Sequence, residues 1–224
     1  MIPRQPASIR PQNVVSIWVF LSRLLTGSKK AHDSKTDNAI FHEIVAILGS
    51  LVRLRRDLVV TTLPHLTHTI RRLLFALRNP RPLLGAKQGA IVADSFPTWV
   101  NPSHPLGAEE SKALSRLLTS LSVKTSIRVH GPSAELQKQE SLARPLSKHV
   151  ACVIQAYLEV LNDPLCILPA DIRRELQPGL FALCDMLNEH TRDALMVSAF
   201  DASGKTAMKS LWREYEKQRY TGKG

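Results

Sequence analysis

Aromatic residues are scarce in this chain: 3 Trp, 3 Tyr and 6 Phe make up 5% of 224 residues. Strands favour aromatic and β-branched side chains, so this scarcity, with leucine filling most apolar positions, points to helices rather than a sheet. Cysteine is limited to Cys152, Cys166 and Cys184. An odd number without C-x-x-C spacing argues against a disulfide framework or a zinc knuckle and for a reducing compartment. Long apolar runs are missing too. The stretch from Val14 to Leu21 stops at Ser22 and Arg23, far short of the ~20 residues a membrane span needs. Arg4 and Arg10 ahead of it imitate a signal peptide, but no small-residue cleavage site follows.

Enzyme signatures fail on named residues. Gly204, Lys205 and Thr206 echo the end of a phosphate-binding loop, but the position five residues before Gly204 is Ala199 and no strand precedes it. Backbone N–H groups wrap a phosphate only where glycines cluster, so these three residues read as a helix start. His65 and His68 share a helical face, yet a structural zinc needs about four ligands and no Cys, Asp or Glu lies near them. A polar face or a phosphate contact is the better reading. His149, Tyr157 and Asp185 could form a buried polar cluster, for which core hydrogen bonding is a simpler account than catalysis. Glu109 and Glu110 fall in helix-starting positions that explain them electrostatically. No G-x-S-x-G elbow or papain-like cysteine context occurs. The reading is therefore of a non-enzyme with no metal, cofactor or small-molecule substrate.

What is present is positive charge, 30 Lys and Arg against 19 Asp and Glu, unevenly placed. Residues 1–90 hold 14 against 4, residues 91–200 hold 10 against 12, and residues 201–224 hold 6 against 3. Basic ends around a near-neutral middle are expected where the ends face a polyanion and the middle packs or meets protein. The hydrophobic content of 44% suffices for the core of one globular unit.

Apolar periodicity predicts at least seven helices and no strand. The first spans Asn13 to about Thr26, with Val14, Ile17, Trp18, Leu21, Leu24 and Leu25 inward. After the polar linker GSKKAHDSKTD, a second starts at Asn38 and carries Phe41, Ile44, Leu48, Leu51 and Leu58. A third runs from Leu63, with Pro64 in its opening turn. Five prolines between Asn79 and Pro105 predict an irregular connection, onto whose neighbours Phe96, Trp99 and Val100 would tuck as a strap. Leu114, Leu117, Leu118 and Leu121 mark a further helix, a weak one falls between Ser133 and Ala143, and another spans Leu146 to Asn162. Pro178 should end a helix near Leu176 and open the next. The last starts with Ser203 as N-cap and runs to Tyr220. The expected class is all-α, either an irregular α-solenoid-like stack of the HEAT or armadillo kind or an irregular bundle. Residues 1–37 would form an N-terminal helix and linker, and residues 38–224 the main helical domain with the loop at 79–105.

Three cationic clusters are candidate sites. Lys205, Lys209, Arg213 and Lys217 recur every four residues and form one stripe of the last helix, opposite Met208, Leu211, Trp212 and Tyr215. Arg53, Arg55 and Arg56 form a second cluster; Arg71 and Arg72, with Arg78 and Arg81, form a third. Each alone is as readily a solvated face as an RNA contact; together they favour phosphate binding.

The order and spacing of several pieces resemble a known family. His149, Val150 and Tyr157 are followed by Leu168, Pro169, Ile172, Arg173 and Leu176, then by the run Pro178 to Leu183 with Asp185. Asp201, Gly204, Lys209, Leu211 and Tyr215 follow, and HPLGAEESKALSRLLTSLS lies upstream, from His104 to Ser122. The pattern resembles the C-terminal domain of nucleolar pre-rRNA processing factors, the unhealthy ribosome biogenesis protein two family. It covers the second half firmly, Asn38 to Pro80 loosely and the first 37 residues least. Family members extend far upstream, so the chain looks like an isolated C-terminal piece or the product of a truncated gene.

The resemblance implies a nucleolar, nuclear scaffold in early large ribosomal subunit assembly that supports pre-rRNA processing. Its implied partners are other assembly factors, a DEAD-box RNA helicase among them, and pre-rRNA. A helical protein-interaction module without RNA contact is the alternative.

Overall fold

A computed structural model of the chain describes residues 9–26, 37–123, 125–126 and 139–221. Among these residues the helices are α1 (Pro11–Leu24), α2 (Asn38–Leu54), α3 (Arg56–Thr61), α4 (Leu63–Ala76), α5 (Ala86–Ser95), α6 (Ala108–Ser120), α7 (Ala143–Leu161), α8 (Ala170–Met186), α9 (Glu189–Ser198) and α10 (Ala202–Thr221). Among the described residues strand structure is limited to two antiparallel pairs of two-residue strands. β1 (Asn79–Pro80) pairs with β4 (Cys166–Ile167), and β2 (Thr125–Ser126) with β3 (Gln139–Glu140). The protein is all-α. No helix among the described residues is long and apolar enough to cross a membrane.

Local signals set most helix limits. Asp37 caps α2 by accepting from the N–H of Ala39 at 3.1 Å. Phe41, Ile44, Leu48 and Leu51 then bury one face. Arg55 leaves helical geometry at φ −134°, ψ 49°, so Leu58 belongs to α3 rather than α2. Pro64 lies in the first turn of α4, where its missing N–H has no helical partner to lose. Asp201, not Ser203, caps α10, accepting from Gly204 N at 2.7 Å.

Two further differences from the periodicity-based expectations are informative. Helix α8 runs through Pro178 without ending. A proline inside a helix costs roughly 3 kcal/mol, so tertiary contacts must hold it. Ile172 and Leu176 before the proline and Leu180 and Leu183 after it form one buried face. At the next residue α8 crosses α6, and the Gly179 N–H donates to Ser115 Oγ at 2.9 Å. A Cβ on Gly179 would stand 2.9 Å from both Cα and the carbonyl oxygen of Ser115, so only glycine permits this approach.

The connection at 79–105 is not irregular throughout, since it contains α5. The strap is ordered, with Phe96, Trp99 and Val100 buried. Trp99 Nε1 donates to the Leu24 carbonyl at 2.8 Å, and Asp37 N donates to the Trp99 carbonyl at 3.0 Å. The weak helix expected between Ser133 and Ala143 falls partly outside the described residues. Within them, Gln139 and Glu140 form β3 and α7 begins at Ala143.

One apolar cluster runs through the molecule from Ile9 in the segment before α1 to Tyr215 in α10. Its main layers are α6 on α8 and α4 on α7, with α2 against α6 and α10 against α7 and α8. These pairs are interleaved in sequence, so a repeating stack of helix hairpins does not follow from the packing.

Candidate nucleic-acid interface

The cationic clusters of the sequence meet different fates. In the second, Arg53 is exposed in the last turn of α2. Arg55 Nε and Nη2 donate to the two carboxylate oxygens of Asp57 at 3.1 and 2.9 Å, and Nη1 donates to the Ile9 carbonyl. The Asp57 side-chain hydrogen bond lifts the Arg55 pKa against a smaller effect of burial, and the same bond lowers that of Asp57. Arg56 is only 5% exposed and reaches the carbonyls of Val52 and Val123 at 3.4 Å. Arg55 and Arg56 therefore join segments of the fold rather than forming a solvated patch with Arg53.

The third cluster is turned inward at Arg72 and Arg78. Arg72 donates to the Leu25 carbonyl through Nε at 3.1 Å and Nη2 at 2.8 Å, which satisfies the C-terminal end of α1. Burial, then the Arg78 charge, lowers its pKa. Arg71 is half-buried, with its Nε lacking a hydrogen-bond partner. Arg78, 8% exposed, donates to Asp163 at 2.6 Å, the Phe75 carbonyl at 2.8 Å and Ser95 Oγ at 3.0 Å. Its guanidinium lies 4.9 Å from the Phe75 ring centroid and 5.4 Å from that of Phe96. This one side chain ties α4, the strap and the segment after α7 together, and Arg81 follows it with a long contact to the Asp163 carbonyl at 3.5 Å.

The α10 stripe differs. Lys209, Arg213 and Lys217 are exposed and Lys205 is half-buried. Four-residue spacing drifts ~40° per step and extends the row over ~18 Å of helix. Lys209 and Arg213 have no ion pair or hydrogen bond among the described residues. The opposite face fastens α10 down, with Met208, Leu211 and Tyr215 buried. Tyr215 O–H donates to Asp185 Oδ1, and its ring lies 6.0 Å from that of Phe181. Burial, then this bond, pushes the Tyr215 hydroxyl up to about 12.

Beside the stripe, α9 and α10 enclose a groove that sequence reasoning missed. Met196, Val197, Met208 and Trp212 line it, with Lys209 and Arg213 on its edge. Arg192 from α9 lies 4.9 Å from the Trp212 ring centroid and pairs with Asp193 at 2.9 Å. Trp212 Nε1 donates to Glu216 at 2.9 Å. The available signal was Asn188, whose side chain caps α9 by accepting from Thr191 N at 2.7 Å. With Leu195 as its one buried residue, α9 shows little period.

Other candidates resolve into structure. His65 stacks on Trp18 with centroids 6.3 Å apart. Burial, then the charges of Arg72 and Arg71, lowers the His68 pKa. Cations so close also repel a metal ion. His149, Tyr157 and Asp185 have no hydrogen bond to one another; Asp185 accepts from Tyr215 instead. Burial pushes Tyr157 up to about 12, as it does the Cys184 thiol, and raises Cys166 as well. Those two thiols are poor nucleophiles near neutral pH.

Glu110 does more than start α6. Only 4% exposed, it accepts from Gly107 N at 2.8 Å, Asn38 Nδ2 at 2.9 Å and His42 Nε2 at 3.2 Å, locking α2 to the start of α6. Burial alone would raise its pKa, but these bonds and its own N–H outweigh burial and lower it.

Compared with models of protein families, residues 1–223 match the Urb2/Npa2 family. The match takes in the first 37 residues as well as the motif-bearing second half. No curated protein and no solved structure shows a significant match.

Proposed function

The chain belongs to the Urb2/Npa2 family, which implies a role in ribosome biogenesis; from that premise we propose that it is a non-catalytic helical scaffold of early large-subunit precursors. In this reading it works in the nucleolus, holds other assembly factors, a DEAD-box RNA helicase among them, and contacts pre-rRNA through the basic face of α10. One observation carries the RNA part. Lys209 and Arg213 stay exposed without acidic partners in a row with Lys205 and Lys217, whereas most other clustered arginines are bound to carbonyls and carboxylates of the fold.

Cations on phosphates release counterions, so four contacts give a log–log salt slope of about −3 to −4. Anisotropy titration of a structured rRNA fragment over a salt series measures it. Reversal of two charges in K209E/R213E should flatten the slope by about two and leave the melting temperature unchanged. A flat response in the wild-type chain rejects RNA contact, and early melting of the variant makes the stripe structural.

The apolar groove between α9 and α10 favours a second reading, a protein-interaction module without RNA contact. That reading requires the flat salt response.

A further inference from the structure

A second groove lies between α2 and α6, away from the α10 stripe, and encloses about 580 Å³. Val45 and Ala46 of α2, Leu117 of α6 and Val123 just beyond it give it an aliphatic lining. Val123 keeps 53% of its surface in water, a high exposure for an apolar side chain in a described segment. One arginine rises from each wall, Arg53 from α2 and Arg116 from α6, both exposed and neither in an ion pair or hydrogen bond among the described residues. None of the described residues lining the groove is acidic. The acid nearest in bonding, Glu110, is buried behind His42 and already accepts from three groups.

We propose that this α2–α6 groove is a docking site for an acidic amphipathic helix of a protein partner. The apolar lining matches a helix that presents leucine-sized side chains at i, i+3, i+4 and i+7. The two uncompensated guanidiniums select carboxylates on the flanks of that helix by charge complementarity. RNA fits less well, because among the described residues no Phe, Tyr or Trp lines the groove, the His42 ring there is tied at Nε2 to Glu110, and the aliphatic surface between the arginines offers a phosphate backbone no partner. The proposal rests on the partner-holding part of the scaffold reading and not on its RNA part.

The test uses the full chain and a fluorescein-labelled synthetic 20-residue helix with leucines at that spacing and glutamate flanks. A lysine-flanked isomer and an RNA hairpin serve as the other probes. Ala46→Trp fills the groove, and R53E/R116E reverses its rim; all three positions are exposed, so the fold should survive. The expected result is saturable binding of the acidic helix, weakened about tenfold or more by either variant, with the lysine-flanked isomer weaker by a similar factor. Melting temperature and RNA binding through α10 should not change. The proposal is overturned by no saturable binding, by equal binding of the two isomers, or by indifference to Ala46→Trp. RNA-hairpin binding abolished by R53E/R116E would make the groove a nucleic-acid surface instead. Self-association that Ala46→Trp dissolves would make its occupant a second copy of the chain. If the acidic helix fails while K209E/R213E still alters RNA binding, the groove proposal falls and the RNA reading of α10 stands.

Discussion

Replacing Gly179 by alanine should destabilise the protein, although the same change in an unencumbered helix is favourable. In open surroundings Gly to Ala within a helix contributes about 0.5–1 kcal/mol of stability by reducing the freedom of the unfolded chain. At Gly179 the added methyl would stand 2.9 Å from Ser115 Cα and O and 3.0 Å from Leu118 Cβ. Two of these three atoms are backbone of α6 and cannot rotate away, so α8 must retreat. Overpacking of this kind costs roughly 1–3 kcal/mol. Retreat also stretches the 2.9 Å bond from Gly179 N to Ser115 Oγ, and an unpaired buried donor costs about 1–3 kcal/mol more. Offset by the helix gain, these terms leave a net loss of about 1–5 kcal/mol, centred near 3. In urea at constant slope the midpoint should fall by about 1 M, and the melting temperature by about 5–10 °C. Gly89 in α5 supplies the control, since nothing lies within 4 Å of its added Cβ; Gly89→Ala should stabilise by about 0.5–1 kcal/mol. A Gly179→Ala variant as stable as the wild type, or more so, would refute the close crossing of α6 and α8.

Arg78→Ala should cost about 3 kcal/mol, because it leaves Asp163 without its cation, Oδ1 keeping only the Leu165 and Cys166 N–H groups, and releases the Phe75 carbonyl and Ser95 together. Arg78→Lys should recover little, since a single ammonium cannot serve three directions; urea midpoints and protease cleavage within 79–105 measure both, and full rescue by lysine contradicts the hub. For Glu110 the folded-state pKa is lowered, so its contribution is present above the ordinary value of 4.5 and disappears as pH falls through the folded value. E110Q should accordingly show a flatter decline of urea midpoint with acid than the wild type, and parallel curves would contradict the lock between α2 and α6. Tyr215 works in the opposite sense: raised from 10.0 to about 12, it contributes stability that is complete below pH 10 and lost as pH rises through about 12. Y215F should lose about 1 kcal/mol at neutral pH and flatten part of the alkaline limb. Tyr157, also raised to about 12, keeps the remainder.

Helices with strong local signals are legible in the amino-acid order. Helices α2 and α4 begin at the residues that the sequence predicts, Asn38 and Leu63, and α6 and α7 begin within six residues of their first expected leucine. Helices α5 and α9 are not legible there, because each buries a single residue, Val92 or Leu195, and so lacks a stripe. The prolines around α5 further disguise it. Pro178 misleads for a related reason: its local cost is real, but an apolar face continuing from Ile172 to Leu183 outweighs it. On the candidate site, the four-residue row of α10 is readable because a helix converts spacing directly into one face. The inward turn of Arg55, Arg56, Arg72 and Arg78 is not.

The sequence alone determined that the protein is helical, where its longer helices lie and that its surplus charge is positive, because periodicity, caps and composition act over a few residues. Tertiary structure decided which of those charges meet water. Arg72 finds the Leu25 carbonyl 47 positions away, Arg56 finds that of Val123 at 67, and Arg78 finds Asp163 at 85. Such partners come into reach only when helices pack. Lys209 and Arg213 remain in solvent because α10 spends its other face on Met208, Leu211 and Tyr215.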